Sequence, residues 1–334
     1  MRKKNLLIIG TGSISERHVK NILSIDPKFK ISVFSSNYIR AQNFSKKFKN
    51  KNINPVHYNE IDKSEFSHVI IANKTKFRNK FLKIFIKKKC NVYCEKPLPI
   101  DQNFELFKKL SKIKKINKKV KIGFQFRFNP AIQYIKKKIK EKNNKNIYFV
   151  QLNCGQNLKD WRKNSNYKKL NAGGNSYYSS VNWELCHELD ILQYLFARPY
   201  KVFSSIENTG LLETKASDIS SSIFKFKKKR VNCSINIEML SPKIYRKLII
   251  ASINNYYEID LITNNILIKT KNKKFKIKFD STRNYMFKIL MKKFLSNNLK
   301  SKQFDYATLE DGIFVSKIIK QMYLSNKLNK FVLL

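Results

Sequence analysis

The first residues whose spacing could do chemistry form a Gly-x-Gly turn near the amino terminus. An apolar run, Leu6–Ile9, enters Gly10-Thr11-Gly12, and an amphipathic stretch follows from Ser13. A helix that starts after such a turn points unpaired N–H groups and a partial positive charge at a bound phosphate. Gly10 permits the tight turn, and Gly12 lets a phosphate approach the backbone closely. The pattern therefore predicts a dinucleotide phosphate site.

The alternative for this turn is an ordinary strand-to-helix connection without a ligand. Ser15 stands where the G-x-G-x-x-G pattern has its third glycine, and an incomplete pattern is a weak signal on its own. Two features favour the phosphate site. The turn directly follows an aliphatic strand, and the whole chain has only 8 Gly, so two of them in one turn indicate a requirement for glycine there.

A second group with chemical potential is Glu95-Lys96-Pro97, which follows a predicted parallel strand at Asn91–Cys94. Ligands bind at the carboxyl edge of such sheets. Pro97 restricts the backbone of Lys96, and the bond between them can be cis. A lysine held there can donate a hydrogen bond to a substrate oxygen and stabilise developing negative charge. The alternative is that the tripeptide only ends a strand.

The elements that must position these residues alternate between strand and helix over residues 1–122. The apolar runs predict strands at Leu6–Ile9, Ile31–Ser35, Val69–Ala72, Asn91–Cys94 and Val120–Phe124. Helical periodicity predicts helices at Ile14–Leu23, Tyr38–Phe48, Phe77–Lys88 and Phe104–Ile116. Such alternation is typical of a parallel, doubly wound sheet with right-handed crossovers, so we predict an α/β fold with an amino-terminal Rossmann domain.

The pattern changes in residues 123–334, where we predict an α+β domain with an open, mainly antiparallel sheet. Residues 155–182 are polar and resemble a binding loop, and a helix is predicted at Trp183–Phe196. Short alternating strands follow from residue 201 to about residue 278, and two helices near 284–297 and 308–325 close the chain.

Composition narrows the protein class. A chain of 334 residues with 42% hydrophobic residues can bury a large core in two domains. No apolar run has the length of a membrane span, and the amino-terminal run is too short for a signal peptide, so we expect a cytoplasmic protein without membrane attachment. The 5 Cys include no Cys-x-x-Cys, and the 4 His do not cluster with them, so we expect reduced thiols and no structural metal.

The formal net charge of +46 has three interpretations. It is typical of proteins that bind nucleic acid or an anionic membrane surface, of a lysine-rich composition without a specific partner, and of enzymes with an anionic substrate. The basic residues are spread over predicted helices and strand flanks, and no nucleic-acid-binding motif is present. We therefore expect no specific nucleic-acid partner.

Together these motifs resemble the Gfo/Idh/MocA (glucose–fructose oxidoreductase / inositol dehydrogenase) family over nearly the full length. The matching segments are Gly10-Thr11-Gly12, Glu95-Lys96-Pro97-Leu98, Gly123–Pro130 (GFQFRFNP), Asp160-Trp161-Arg162, Glu184–Asp190 (ELCHELD) and Leu309–Gly312 (LEDG). The resemblance implies NAD(P)-dependent hydride transfer between nicotinamide and a secondary alcohol or ketone of a sugar or sugar nucleotide. It also implies a role in surface-polysaccharide sugar synthesis, and a homo-oligomer assembled through the open sheet.

The resemblance implies roles for three catalytic residues. Lys96 matches the family's catalytic lysine, and His187 matches the histidine that acts as acid or base in many members. Glu184 stands three residues before His187, so on one helix both side chains share a face, where Glu184 could orient His187 or contact substrate. The alternative for His187 is a histidine packed against the sheet.

A further set is predicted to contact substrate, with the two arginines against an anionic group and the tryptophans as platforms for a sugar. These residues are Arg127, Asn129, Trp161, Arg162, Tyr167 and Trp183. The alternative for both tryptophans is that they pack in the core.

The predicted cofactor contacts favour NADP over NAD. NAD enzymes place a carboxylate at the end of the second strand to hold the ribose 2′-hydroxyl, but this chain has Ser35-Ser36-Asn37 there, with Arg40 nearby. The remaining contacts are predicted at Gly10, Gly12, Ser13, Ile14, Asn73, Lys74, Glu95 and Lys96.

Two departures from the family keep alternatives open. The usual Thr-Pro-x-x-x-His reads Asn73–Arg78 (NKTKFR), which adds positive charge. The usual three glycines before the His187 helix read Tyr178-Ser179-Ser180, or Gly173-Gly174 if a small insertion is allowed. A different reduction on the same scaffold, of biliverdin or trans-dihydrodiol type, and a non-catalytic NAD(P)-binding regulatory protein are the alternatives.

Overall fold

A computed structural model describes residues 5–88, 90–141, 146–161, 166–169, 174, 176–227, 229–296 and 306–334. The chain divides into two compact units, which we describe separately. The first unit comprises Met1–Gln125 and Asn284–Ile313, and the second comprises Phe126–Arg283 and Phe314–Leu334. The sequence predicted that residues 123–334 would form the second domain. The structure differs from this prediction because residues 284–313 belong to the first unit.

Strands and helices alternate from the amino terminus to residue 122, as follows: β1 Asn5–Ile9, α1 Ser13–Ile25, β2 Lys30–Phe34, α2 Tyr38–Lys46, β3 Ile53–Pro55, α3 Tyr58–Lys63, β4 His68–Ile71, α4 Arg78–Lys87, β5 Asn91–Cys94, α5 Phe104–Leu110, α6 Lys114–Lys119 and β6 Val120–Ile122.

The remainder of the chain is dominated by strands, as follows: α7 Pro130–Lys138, β7 Ile147–Gly155, α8 Val181–Glu184, α9 His187–Phe196, β8 Lys201–Glu207, β9 Ile219–Phe226, β10 Lys229–Glu238, β11 Tyr245–Ser252, β12 Asn255–Asp260, β13 Asn265–Thr270, β14 Lys274–Lys278, α10 Tyr285–Leu295, β15 Ala307–Thr308, α11 Leu309–Leu328 and β16 Val332–Leu333. No helix within the described ranges combines the length and the apolar character needed to cross a membrane.

The first unit contains a seven-stranded sheet in the order β15-β6-β5-β4-β1-β2-β3. Its strands are parallel except for β15, which pairs antiparallel with β6. After a polar first residue, the central strands β1, β4 and β5 are apolar because both faces of a parallel sheet are covered, and Leu6, Leu7 and Ile8 are each 0% exposed. The predicted Rossmann fold is confirmed.

Three local features of this unit differ from the prediction. The strand β3 and the helix α3 were not predicted, because Ile-Asn-Pro is too short to show an alternating pattern. The single helix predicted at Phe104–Ile116 is two helices, α5 and α6.

The helix α10 belongs to the first unit because its aromatic face packs there. The Phe287 ring lies 6.3 Å from the His18 ring, and the Arg17 guanidinium lies 4.7 Å from the Phe287 centroid. Further along α10, the Phe294 ring lies 5.0 Å from His68. These contacts join residues far apart in sequence, so no local sequence pattern predicts them.

The second unit contains a nine-stranded sheet in the order β14-β13-β12-β11-β7-β10-β9-β8-β16. All neighbouring pairs are antiparallel except β7 and β10, which run parallel, so the predicted mainly antiparallel sheet is confirmed. Burial alternates along β9, from Ser220 to Phe226, as expected for a sheet with one covered face.

Candidate functional site

The Gly10-Thr11-Gly12 turn connects the buried strand β1 to α1. Gly10 has φ +113°, and a Cβ at this position would lie 2.8 Å from the Ala72 carbonyl oxygen and 2.9 Å from the Asn73 nitrogen, so only glycine fits. Gly12 is the N-cap of α1 and provides no side chain to cap the helix. A Cβ on Gly12 would meet nothing within 4 Å. Open space therefore lies beside the helix N-terminus, where a phosphate would accept hydrogen bonds.

Two further residues support the fit of this turn to a dinucleotide. Ser15, in place of the third glycine, is 0% exposed, so a small side chain suffices for the close packing of α1. The Asn73 side-chain oxygen, just beyond β4, is buried and has no hydrogen-bond partner among the described residues. A buried acceptor without a donor suits a site whose donor arrives with a ligand. Ser13 and Lys74 are exposed, and Ile14 is half-buried.

The end of β2 lies open to solvent and carries no carboxylate. Ser35 is half-buried, whereas Ser36 and Arg40 are exposed. The Asn37 side chain caps α2 by accepting a hydrogen bond of 3.2 Å from the Arg40 backbone nitrogen. The Arg40 guanidinium is therefore carried on the first turn of a capped helix.

The end of β5 carries Glu95 and Lys96 in different environments. Lys96 is half-buried, and the Lys96–Pro97 peptide is cis. Glu95 is 5% exposed, and its Oε1 lies 2.8 Å from His18 Nε2 and accepts a hydrogen bond of 3.2 Å from the Tyr93 hydroxyl. The cofactor contact predicted for Glu95 stays a prediction.

Glu95 is a buried carboxylate with compensating partners. Burial raises its pKa, but the hydrogen bond with His18 and the nearby charges of His18, Arg78 and Lys96 outweigh burial, so its pKa is lowered. Gly123 leaves room for this group, since a Cβ there would lie 2.8 Å from Glu95 Oε2.

The loops that follow β4 and β5 are held by the first two residues of α4, Arg78 and Asn79, which were not among the predicted site residues. Arg78 Nε donates to the Asn73 carbonyl oxygen at 3.2 Å, and Arg78 Nη1 donates to the Pro97 carbonyl oxygen at 2.8 Å. Asn79 Nδ2 donates to the Pro99 carbonyl oxygen at 2.9 Å. The available signal was the Arg78 side chain itself, which stands where the family that the motifs resemble has histidine.

His187 is the first residue of α9 and is 6% exposed. Its ring makes an edge-to-face contact with the Phe126 ring, with ring centroids 5.2 Å apart. The predicted helix Trp183–Phe196 is interrupted at Leu185 and Cys186, whose backbone angles end α8 before α9 begins. Glu184 therefore lies on α8, half-buried, and does not share a helix face with His187 as predicted.

Two ion pairs with buried carboxylates fix the first turn of α9. Glu188 Oε1 lies 2.7 Å from Arg246 Nε, and the Arg246 guanidinium lies 4.4 Å from the centroid of the Phe126 ring. Asp190 accepts two hydrogen bonds from Arg127, one from Nε at 2.9 Å and one from Nη2 at 2.6 Å. The ring that contacts His187 is thus itself held by a paired arginine.

Three residues that were predicted to contact substrate make interactions inside the second unit. Arg127 is 4% exposed, and its bidentate partner Asp190 already balances its charge. The Asn129 side chain caps α7 and donates to Asn264 Oδ1 at 2.7 Å. Trp183 is 0% exposed, in contact with the Tyr177 and Tyr178 rings. Each of these side chains has partners inside the second unit, and the substrate contacts expected for them stay predictions.

Trp161 and Tyr167 are half-buried, on two short 3-10 helices at Leu158–Trp161 and Tyr167–Lys169. Arg162 and Gly173 lie outside the described residues. The exposed ring near Trp183 is that of Tyr177, at 51% exposure, which was not among the predicted site residues.

Comparison with known proteins decides the family of the amino-terminal segment. Residues 4–123 match the Gfo/Idh/MocA model, described as an oxidoreductase family with an NAD-binding Rossmann fold. This segment belongs to that family. The Gfo/Idh/MocA segment contains the Gly10–Gly12 turn, Asn73, Arg78 and Lys96, and the resemblance predicted from the sequence is confirmed.

Solved structures share the fold of the whole chain. Levoglucosan dehydrogenase in complex with NADH is 15% identical, with a TM-score of 0.84 over 98% of each chain. Myo-inositol dehydrogenase from Corynebacterium glutamicum is 16% identical, with a TM-score of 0.76 over 99% of this chain and 98% of the other. Myo-inositol 2-dehydrogenase from Lactobacillus plantarum is 17% identical, with a TM-score of 0.78 over 100% of each chain. No curated protein matches the chain in a sequence search.

Proposed function

We propose that this protein is an NAD(P)-dependent dehydrogenase or reductase that acts on a secondary alcohol or ketone of a sugar or sugar-nucleotide derivative. The observation that carries the proposal is the Gly10–Gly12 turn, which leaves open space at the N-terminus of α1. The buried acceptor of Asn73, whose backbone nitrogen adjoins Gly10, supports it. The levoglucosan and myo-inositol dehydrogenases that share the fold act on a sugar derivative and a polyol, which supports this substrate class.

The residues around the turn suit a dinucleotide. We assign the pyrophosphate to the backbone of Gly10, Gly12, Ser13 and Ile14, and further contacts to Asn73 and Lys74. The bound dinucleotide supplies the nicotinamide that accepts or donates the hydride. NADP is favoured over NAD because Ser35 and Ser36 present hydroxyls rather than a repelling carboxylate, and the exposed Arg40 can pair with a 2′-phosphate.

The chemical roles follow from the two catalytic side chains. In the oxidative direction, the Lys96 ammonium donates a hydrogen bond to the substrate oxygen and stabilises the negative charge that develops on it. The His187 imidazole accepts the hydroxyl proton, and Glu184 assists by orienting His187 or by contacting substrate. Trp161, Tyr167 and Arg162 are assigned to substrate binding, and Arg162 supplies charge for an anionic group.

The Arg-Phe-x-Pro and Asp-Trp-Arg segments favour a role in surface-polysaccharide sugar synthesis, and we propose a cytoplasmic homo-oligomer. Light scattering of the purified protein after size exclusion tests the oligomer directly.

The first experiment is titration of the purified protein with NADH and NADPH, followed by tryptophan and nicotinamide fluorescence. We expect saturable binding of both, with NADPH tighter, and an Arg40→Ala variant that weakens NADPH while leaving NADH unchanged. A screen of levoglucosan, myo-inositol and nucleotide sugars for absorbance change at the nicotinamide band follows. Failure of a folded sample to bind either dinucleotide would contradict the proposal.

A further inference from the structure

Arg78 is placed to join the dinucleotide turn to the catalytic lysine. We propose that Arg78 is a positioning residue whose guanidinium holds the Asn73 and Lys96–Pro97 segments in one fixed arrangement, so that dinucleotide binding and the placement of Lys96 depend on the same side chain. This inference rests on the proposed function for the roles of the turn and of Lys96.

The geometry of Arg78 is that of a bridge between two loops. The strands β4 and β5 are parallel neighbours, so the segments that follow them emerge at one edge of the sheet. Arg78 is 8% exposed and donates from Nε to the Asn73 carbonyl oxygen and from Nη1 to the Pro97 carbonyl oxygen, at 3.2 Å and 2.8 Å. One side chain therefore ties the backbone of each loop to the same rigid group.

The bridge continues to the Gly10 turn through Asn73. The ideal Cβ position of Gly10 lies 2.9 Å from the Asn73 nitrogen, which shows that the two backbones are in close contact. A contiguous path therefore runs from Gly10 to Asn73, through Arg78 to Pro97, and to Lys96 on its amino side. Every step of the path lies within the first unit.

The chemistry of the guanidinium suits this task, and that of the family's usual histidine does not. Arg presents several N–H donors in a fixed planar fork, so it can satisfy two carbonyl oxygens at once. A neutral imidazole has a single N–H donor and can satisfy only one of them. The change from histidine to Arg78 thus adds a second tie between the loops.

Asn79 shows that the rest of the loop is held independently. Its Nδ2 donates to the Pro99 carbonyl oxygen and to Asp101 Oδ1, both at 2.9 Å. Because Asn79 anchors the distal part of the loop, loss of Arg78 would release the portion next to Lys96 and the Asn73 segment without releasing the whole loop.

The test compares Arg78→Met and Arg78→Lys with wild type and with Lys83→Met, an exposed position on the same helix. The first readout is the Kd for NADH and NADPH by fluorescence. The second is the rate at which Lys96 is acetylated by dilute acetic anhydride, measured by mass spectrometry with and without dinucleotide, which needs no known substrate. Thermal melting establishes that each variant is folded.

We expect Arg78→Met to weaken dinucleotide binding about tenfold or more, the usual cost of losing a charged hydrogen bond, and to acetylate Lys96 faster. Arg78→Lys, which keeps the charge but reaches one carbonyl oxygen, should recover part of both effects. Lys83→Met should match wild type. A folded Arg78→Met with wild-type Kd and a wild-type Lys96 acetylation rate would overturn the inference.

The outcomes for the proposal and for the proposed function are separable. If wild type binds neither dinucleotide, the proposed function fails, and the coupling to dinucleotide binding is overturned with it, while the acetylation rates still test the contact with the Lys96 segment. If wild type binds, and the Arg78 variants bind equally well and are acetylated at Lys96 at the wild-type rate, only the inference fails. If Arg78→Met does not melt cooperatively, the Arg78→Lys variant provides the test. A Kd for dinucleotide within twofold of wild type in Arg78→Lys would contradict the proposed role of Arg78.

Discussion

At the residue scale, the two glycines of the Gly10–Gly12 turn meet different structural constraints. Gly10 has a positive φ, and a side chain there would collide with the backbone at Ala72. Gly12 has an ordinary extended backbone, with φ −83° and ψ 176°, and its missing Cβ borders open space. Folding therefore requires Gly10, whereas the fold makes no such demand at Gly12, where the proposed phosphate site is the reason for glycine.

Alanine at each glycine separates these requirements. We expect Gly12→Ala to melt at the wild-type temperature but to bind NADH and NADPH about tenfold more weakly, because its methyl group occupies the approach of the phosphate. Gly10→Ala should lower the melting temperature, because the new Cβ collides with backbone. Equal dinucleotide affinity of Gly12→Ala and wild type in the fluorescence titration would argue against the phosphate site.

Lys96 is the residue on which the proposed reaction depends most. We expect Lys96→Met to lower kcat about 10²- to 10⁴-fold, the range found for a positioned acid–base group, while the Kd for dinucleotide changes little. Steady-state kinetics and fluorescence binding on one preparation measure both. Full turnover by Lys96→Met would remove the lysine from the mechanism.

At the element scale, α9 is held by charges that are buried and paired. Glu188 and Asp190 are each 1% exposed, and their partners Arg246 and Arg127 come from β11 and from the segment before α7. A buried ion pair contributes little to stability relative to an apolar pair of similar size. Removing one partner, however, leaves an unpaired charge in the interior. The helix that presents His187 therefore depends on intact pairs.

Removing one partner of the Arg246–Glu188 pair should destabilise the protein more than removing both. We expect Arg246→Met to reduce the free energy of unfolding by about 3–5 kcal/mol, and Arg246→Met combined with Glu188→Leu to recover a large part of that loss. Urea denaturation measures both. Glu105→Gln, which breaks the exposed Lys108–Glu105 pair, is the matched control and should change stability by less than about 1 kcal/mol.

The strand β6 contains a buried lysine that makes stability depend on pH. Lys121 is 9% exposed, its ammonium lies 5.4 Å from the centroid of the Tyr306 ring, and burial together with the charge of Lys118 lowers its pKa to about 8. Below that pH, the folded state holds a charge that the unfolded state would hold at less cost.

Lys121→Met should therefore stabilise the protein at pH 7, by about 2 kcal/mol. Since the folded state loses the proton near pH 8 and the unfolded state near 10.5, wild-type stability rises with pH between these values. The gain from the substitution should shrink over the same window. Denaturation of both proteins at pH 7 and about pH 10 measures this, with the exposed Lys114→Met as control; a gain independent of pH would contradict the assignment.

At the scale of the whole molecule, the charge of +46 opposes the compact state through self-repulsion. Salt screens charges that lie farther apart than the Debye length, about 10 Å at 0.1 M. Raising NaCl from about 20 mM to about 500 mM should therefore raise the melting temperature by roughly 2–5 °C. Calorimetry in NaCl measures the effect, with sucrose of matched osmolality as control; a melting temperature that falls with salt would show that attractive ion pairs dominate.

Much of the fold was predictable because its signals are local. The apolar runs at Leu6–Ile9 and Asn91–Cys94 indicated buried parallel strands, and the structure contains both. Short or interrupted elements were not predictable: Ile53–Pro55 is too brief to show a period, and the break between α8 and α9 lies inside a continuous apolar periodicity. That break changes the relation between Glu184 and His187.

The sequence by itself determined the Gly-x-Gly turn, the position of Lys96 after a parallel strand, and the family of the amino-terminal segment, because each depends on neighbouring residues. Only the tertiary structure decided that Arg127 pairs with Asp190, that Arg246 pairs with Glu188, and that Arg78 ties Asn73 to Pro97. The physical reason is that a charged side chain looks the same in sequence whether it faces solvent, a ligand or a buried partner. Its role is set by which distant atoms the fold brings within hydrogen-bond distance.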